Sequence, residues 1–327
     1  MEESNTLKLL LEKVGKYHPL YGGGLATHLP MVLIALRELN APNNKLHSVF
    51  EESVKGLEVV DGLDKIEPVK TIEQALGDIS YYKSYLKFFN IELELYGTDT
   101  VLKKTLPILV SGIAASAFHA LIRLAYAIEA NCKSEIAIAL AYWCVEYQAF
   151  ELNSAPCDEK LESILVRLSP LGEEHQFSPG LIVSRMNEIG DVLKQNKCVI
   201  QPETLSLTQL RNFALESFYH NDDFTLLHTV TGCHAFSSIL PYLEEKEVAL
   251  KELWKAILVA CLSTGIRFEN KSIKGVESSG DFAPLVAYAI KSNDSHVIKL
   301  VYSCLCEYQK RNDPLYHLVA QRAVEES

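Results

Sequence analysis

Four of the ten histidines in this 327-residue chain stand in or near the first turn of an apolar helical stretch. His28 precedes LPMVLIAL, His119 precedes ALIRLAYAI, His228 precedes TVTGCHAFS, and His296 precedes VIKLVYSCL. An imidazole in such surroundings is unfavourable unless its ring nitrogens find partners. One histidine of this kind is ordinarily a hydrogen-bonded core residue. Four on four helices raise a second reading, because neutral imidazole is the commonest ligand for borderline metals. Helical proteins assemble metal sites from inward side chains on facing helices.

Lys299 lies three residues after His296, so both project from one face of a helix. Its neighbours Val297, Ile298, Leu300 and Val301 are apolar. Two readings stay open. The ammonium snorkels to solvent near Asp294 or Glu307, or the amine is buried and neutral. A neutral amine can react with carbon dioxide, and the resulting carbamate is a carboxylate-like metal ligand. Arg123, Tyr126 and Glu129 continue the stripe that His119 begins. Arg123 is expected in a salt bridge, and Tyr126 or Glu129 can orient a ligand histidine from behind. His234, six residues after His228, has poor spacing for sharing one metal from one helix, so it is held as a supporting residue.

The elements that must position these groups read as helices almost throughout. Apolar periodicity predicts helices over residues 7–14, 28–39, 44–58, 79–96, 105–130, 134–152, 158–168, 181–194, 206–218, 225–243, 248–262, 282–292, 296–310 and 315–324. Thr71 is expected to cap a further helix, and Gly97 to end the one before it. Residues 59–69, with Gly62 and Pro68, read as a loop. Residues 153–179 are the most loop-like stretch, and residues 196–203 form a connector with a few extended residues. Val/Ile/Thr runs of period two are nearly absent, although residues 91–95 alternate like a strand. The expected fold is all-α, with residues 1–327 forming a single large domain and possible sub-lobes at 1–152 and 181–327. Trp143 and Trp254 follow His119 and His228 by 24 and 26 residues, which hints at a repeated helical hairpin.

Composition narrows the function. There are 31 Lys+Arg against 42 Asp+Glu, a net charge of -11, which argues against nucleic acid and anionic membrane surfaces as partners. The 18 residues between Lys104 and Arg123 carry no formal charge, but Pro107, Gly112 and His119 interrupt them, so a buried helix is expected rather than a membrane span. The N-terminus opens acidic and the eight cysteines are scattered without a CxxC pair, which reads as a cytoplasmic chain with reduced thiols. Gly22-Gly23-Gly24 lacks the dinucleotide-binding spacing and reads as a turn. No phosphate-binding GxxxxGK[ST], GxSxG elbow or HExxH is present.

Four segments in order resemble the questin oxidase-like family: YGGGLATHLPMVLIALRELNAP from Tyr21, FHALIRLAYAIEA from Phe118, LHTVTGCHA from Leu227, and DSHVIKLVYSCL from Asp294. That family includes fungal enzymes that open a ring of anthraquinones and related polyketides by oxygen insertion. The resemblance implies a non-haem Fe(II) site, or one for another divalent metal, with His28, His119, His228 and His296 as ligands and Lys299 as the carbamate. It also implies dioxygen and a small aromatic substrate as partners. Tyr81, Tyr82, Phe88, Phe89, Tyr142, Phe150 and Phe236 are candidates for lining a substrate pocket, or simply for the core.

Three functions compete. The first is an iron-dependent oxygenase acting on an aromatic or quinone-like molecule, with these five residues as its site. The second is a metal-independent, NADPH-linked Baeyer–Villiger oxidase, which the missing dinucleotide fingerprint weakens. The third is a helical binding protein without catalysis.

Overall fold

A computed structural model describes residues 2–60, 67–271, 273, 278 and 280–326. Gly62, expected in a loop, lies outside the described residues. The helices are α1 (Glu2–Val14), α2 (Leu29–Glu38), α3 (Asn43–Ser53), α4 (Tyr82–Tyr96), α5 (Thr98–Leu109), α6 (His119–Glu129), α7 (Lys133–Val145) and α8 (Leu161–Glu173). They continue as α9 (Ile182–Gln195), α10 (Leu207–Asn221), α11 (Phe224–Ile239), α12 (Lys246–Ser263), α13 (Ala283–Lys291), α14 (Ser295–Arg311) and α15 (Pro314–Glu325). The fold is all-α. Its only sheet, among the described residues, is two pairs of two-residue strands: β1 (Leu20–Tyr21) with β2 (Leu25–Ala26), antiparallel, and β3 (Pro156–Cys157) with β4 (Gln201–Pro202), parallel. No helix among the described residues is long and apolar enough to cross a membrane.

The core winds around α7, which is buried on every side from Glu135 to Val145. A charge in that position needs a partner, and Glu135 meets Arg123 of α6 at 2.5 Å. Both side chains are 1% exposed, so Arg123 pins α6 to α7 and lies in the core. Removing either one would strand the other charge in low dielectric, which typically destabilises by about 3–5 kcal/mol.

Four helices form a closed circuit: α2 packs on α6, α6 on α11, α11 on α14, and α14 back on α2. The circuit draws members from both halves of the chain. Two of the four are started by aspartate caps. Asp223 accepts from the amides of Thr225 and Leu226 at the head of α11, and Asp294 accepts from His296 and Val297 at the head of α14. α2 starts at His28 itself, with Pro30 in its first turn, where a missing N–H is harmless.

Several expected boundaries shift. The stretch 105–130 is two helices, because Ser116, Ala117 and Phe118 all adopt positive φ (50°, 52° and 69°) immediately before His119. Left-handed non-glycine residues cost about 1–2 kcal/mol each, so three in a row persist only where tertiary contacts hold them. Thr71 precedes a short 3-10 turn, Ile72–Ala75, and its side chain makes no cap. α8 outruns the expected 158–168 and continues through Pro170, whereas α7 stops at Val145, short of residue 152. Residues 91–95 are helical. Gly97 ends α4 with φ 77°, as its type suggested.

Candidate active site

All four helices of the circuit present a histidine near the end where they start, and the four rings meet. His28 stacks on His119 with ring centroids 4.8 Å apart, and meets His296 edge-on at 4.6 Å. His119 and His228 lie 4.7 Å apart, and His228 and His296 5.6 Å apart. The structure therefore brings together His28, His119, His228 and His296, residues separated by up to 268 positions in sequence.

Three of the four rings are hydrogen-bonded on one side. His119 Nδ1 is 2.6 Å from the carbonyl oxygen of Ser116, and His228 Nδ1 is 2.8 Å from that of Phe224. A carbonyl only accepts, so both rings carry their proton on Nδ1 and offer a lone pair on Nε2. His28 Nδ1 is 2.8 Å from Ser295 Oγ, and His296 Nδ1 is 3.5 Å from Asp294 Oδ1. On the other side, His28 Nε2 and His119 Nε2 are 2.8 Å apart. His228 Nε2 and His296 Nε2 are buried without a hydrogen-bond partner. A buried polar atom left unpaired costs about 1–3 kcal/mol, so two in one cluster point to a group that would satisfy them.

Lys299 lies at the base of the cluster and is 1% exposed, which excludes the snorkelling reading. Burial pushes its pKa down to about 7, against the pull of Asp294. Burial, followed by the Lys299 charge, pushes His228 to about 3 and His296 to about 2. Burial first and neighbouring charges next hold His28 and His119 well below the usual imidazole range. The starts of α2 and α6 carry no side-chain cap and add positive potential from their N–H groups, whereas the Asp223 and Asp294 caps offset it on α11 and α14. The site thus disfavours added protons.

Among the described residues, no group of three or more His, Cys, Asp or Glu side chains is placed so that it could hold a metal ion. The spacing of the imidazoles can still be compared with that of ligands on one ion. Two nitrogen ligands at adjacent positions, each about 2.1 Å from one ion, stand about 3 Å apart, with ring centroids about 4.5 Å apart. The observed 2.8 Å and 4.6–4.8 Å separations match this spacing, and the 5.6 Å pair is looser. The rings are neutral, and two have their Nε2 lone pairs fixed inward of a backbone anchor.

A cleft of about 440 Å³ opens onto the cluster. His28, His119 and His296 form its floor, while His228 and Lys299 lie behind them at 1% exposure. Its walls are apolar, from the β1–β2 hairpin (Tyr21, Leu25) on one side and Leu181–Val183 on the other. Gly22, Gly23 and Gly24 turn the hairpin with φ of 55°, 83° and 119°. A β-carbon on Gly24 would lie 3.3 Å from Leu181, so the two walls nearly touch there. Phe224 packs its ring on His228 and His296, at 5.0 and 4.5 Å, and closes the cleft beside them.

The strained turn before His119 is held by the site. Ser116 receives the His119 N–H on its carbonyl and the Tyr142 hydroxyl on its Oγ at 2.6 Å. Phe118 sits over Gly232 of α11, where a β-carbon would come within 3.1 Å of the ring.

Tyr126, Glu129 and His234 come together elsewhere, further along the same helices. Glu129 accepts from Tyr302 and Ser238, Tyr126 meets Ser303 at 3.4 Å, and His234 Nδ1 meets Glu307 at 3.0 Å. Their partners are thus other than the four histidines. Of the aromatic candidates, Tyr82, Phe89, Tyr142 and Phe236 are core residues. Tyr81 bonds Glu67, Phe150 packs on Gly190, and Phe88 borders a separate groove. The aromatic residues that do line the cleft, Tyr21 and Phe224, were not singled out by sequence. Nor was Ser295, although its place beside His296 and behind the Asp294 cap was a usable signal.

A sequence profile described as questin oxidase-like matches residues 25–197 and 204–304. The chain belongs to the questin oxidase-like family. The match spans every residue of the cluster. Membership makes the chain an oxidoreductase of the oxygenase type, with a small aromatic molecule and dioxygen as reactants. No curated protein matches it significantly.

Proposed function

We propose that the protein is a non-haem iron(II)-dependent oxygenase that oxidises an aromatic or quinone-like molecule bound in the cleft, with cleavage of a ring. His28, His119, His228 and His296 hold the metal, and Lys299 is carboxylated to complete the set. The observation that carries this reading is the tautomer lock: backbone carbonyls fix the protons of His119 and His228 on Nδ1, and the Nε2 of His228 is buried and unpaired. When bound, iron supplies the one-electron steps that let dioxygen react with a closed-shell organic molecule.

The carbamate follows from charge. Four neutral imidazoles leave a divalent cation uncompensated in a buried site. A protonated Lys299 would add to the excess. The neutral amine attacks carbon dioxide, forms an N–C bond and releases one proton. This converts a prospective positive charge into a negative one, beside the uncapped starts of α2 and α6. The low pKa of Lys299 supports this reading, since at neutral pH a substantial fraction of the amine is free.

The rest of the chain handles the substrate. Leu25, Leu181, Ile182 and Val183 strip water from a flat apolar molecule, and Ser116 and Ser295 give the cleft its few polar contacts. Phe224 keeps solvent from the edge of His228 and His296.

Elemental analysis of untagged protein tests the reading, before and after anaerobic reconstitution with iron(II). About one equivalent per chain, with oxygen uptake that needs a quinone or polyphenol and no NADPH, is the expected result. Protein that takes up no metal, or that consumes oxygen only with NADPH and without iron, would overturn it.

A further inference from the structure

The outer face of α4 lies far in character from the apolar core beneath it. Tyr82, Tyr85, Phe89 and Leu93 are buried, yet Ile91 and Leu95 on the other side are 49% and 67% exposed. Lys87, Asn90 and Glu94 stand beside them, all exposed, and Phe88 is half-buried. Phe88 and Ile91 also border a groove of about 300 Å³ closed on its far side by Pro68 and Val69. An exposed apolar stripe next to an apolar groove is an interaction surface in search of an occupant.

The pattern on this face names the occupant. Lys87 lies about 6 Å before Ile91 along the helix axis and Glu94 about 4.5 Å after it, given a rise of about 1.5 Å per residue. At about 100° per residue both fall on the same lateral side of Ile91. Phe88 and Leu95 fall on the other side, about 4.5 Å before and 6 Å after. A two-fold axis through Ile91, perpendicular to the helix, reverses position along the axis and keeps lateral side. It therefore sets Lys87 opposite Glu94, Phe88 opposite Leu95, and Ile91 on itself.

We propose that the protein forms a two-fold dimer through α4, packed antiparallel against α4 of a second copy. Ile91 meets Ile91 at the axis. Leu95 of each copy enters the groove between Phe88 and Val69 of the other. The ammonium of Lys87 meets the carboxylate of Glu94 of the second copy along one flank. Such an interface is isologous, so every contact is made twice. Glu94 pairs with Lys133 at 3.0 Å within the chain, but both are well exposed, and such a pair is weak enough to be exchanged. One helix face buries less than the roughly 800 Å² per partner of a tight complex, so the dimer is expected to be a reversible one.

Sedimentation velocity of the full chain, at concentrations up to about 100 µM, reads the result directly. A concentration-dependent dimer is expected for the unaltered protein. Ile91→Asp should give monomer throughout. Lys87→Glu and Glu94→Lys should each weaken association at least about tenfold by placing like charges together. The double variant Lys87→Glu/Glu94→Lys should restore it, which a loss of folding cannot imitate. A monomer at all concentrations would overturn the proposal and leave the face to a different partner. A dimer indifferent to Ile91→Asp, or charge reversals that the double variant fails to rescue, would overturn it as well.

Discussion

His28 Nε2 and His119 Nε2 face each other at 2.8 Å, although each ring already has a partner on its Nδ1. His119 brings a lone pair to this contact, because its proton is committed to the Ser116 carbonyl. Two lone pairs at that distance repel, so either His28 donates a proton or a cation stands where both lone pairs reach. With a metal held on His28 Nε2, the single ring proton of His28 would sit on Nδ1 and donate to Ser295 Oγ. Ser295→Ala should therefore lower iron affinity about 10–100-fold with all four histidines intact. Competitive titration against a chelator measures it, and unchanged affinity would remove Ser295 from the site.

Lys299→Met keeps the length of the side chain and removes the nitrogen. It should abolish oxygenase activity and lower iron occupancy well below one equivalent. Lys299→Glu returns a carboxylate on a shorter arm and should recover metal in part. Carbon-13 NMR of protein equilibrated with labelled bicarbonate should show a carbamate resonance that the Met variant lacks. Full activity in Lys299→Met would confine the metal site to the histidines.

Ser116→Ala deletes the acceptor of a hydroxyl that has no access to water, since Tyr142 is 1% exposed. The orphaned Tyr142 group should cost about 1–3 kcal/mol, read by chemical denaturation. Because Ser116 also starts the left-handed turn that delivers His119, metal affinity should fall together with stability. Stability loss alone, at unchanged metal affinity, would show that the turn keeps its shape without Tyr142.

Glu307 should make the fold acid-sensitive. Burial alone would raise its pKa, but the His234 hydrogen bond and Arg211 and Arg311 hold it down at about 2. The folded state thus binds this proton more weakly than the unfolded chain, whose glutamate titrates at about 4.3. Its stabilisation is complete above that value and is lost as pH falls toward 2. Glu307→Gln should flatten the fall in stability between about pH 5 and 2, measured by urea unfolding on metal-free protein. An unaltered slope would assign acid sensitivity to other carboxylates.

Leu181→Trp fills the cleft from the wall facing the glycine turn. It should lower kcat/KM for a two- or three-ring quinone by at least about tenfold and leave iron content unchanged. Equal kcat/KM would mean that substrate reaches the site by another route.

The sequence by itself determined the helical class and singled out the residues of the buried histidine cluster. Apolar periodicity at 3.6 residues fixes which face of each helix is buried, and a histidine inside such a face is conspicuous because burying it is unfavourable. His28, His119, His228, His296 and Lys299 were legible for that reason. So was Gly97, because a left-handed helix end favours glycine. Only the tertiary structure decided how those helices meet. The circuit of α2, α6, α11 and α14 depends on packing between segments far apart in sequence, and no local pattern encodes it. The turn at Ser116–Phe118 was hidden because its strain runs against local preference and is held by Tyr142 and Gly232 from other helices. Tyr126, Glu129 and His234 show the converse. They share stripes with the candidate ligands, but one helix turn rises about 5.4 Å, so residues two turns on serve a different cluster. The cleft walls were out of reach for the same reason: Tyr21, Leu181 and Phe224 are unremarkable in sequence, and only folding places them around one floor.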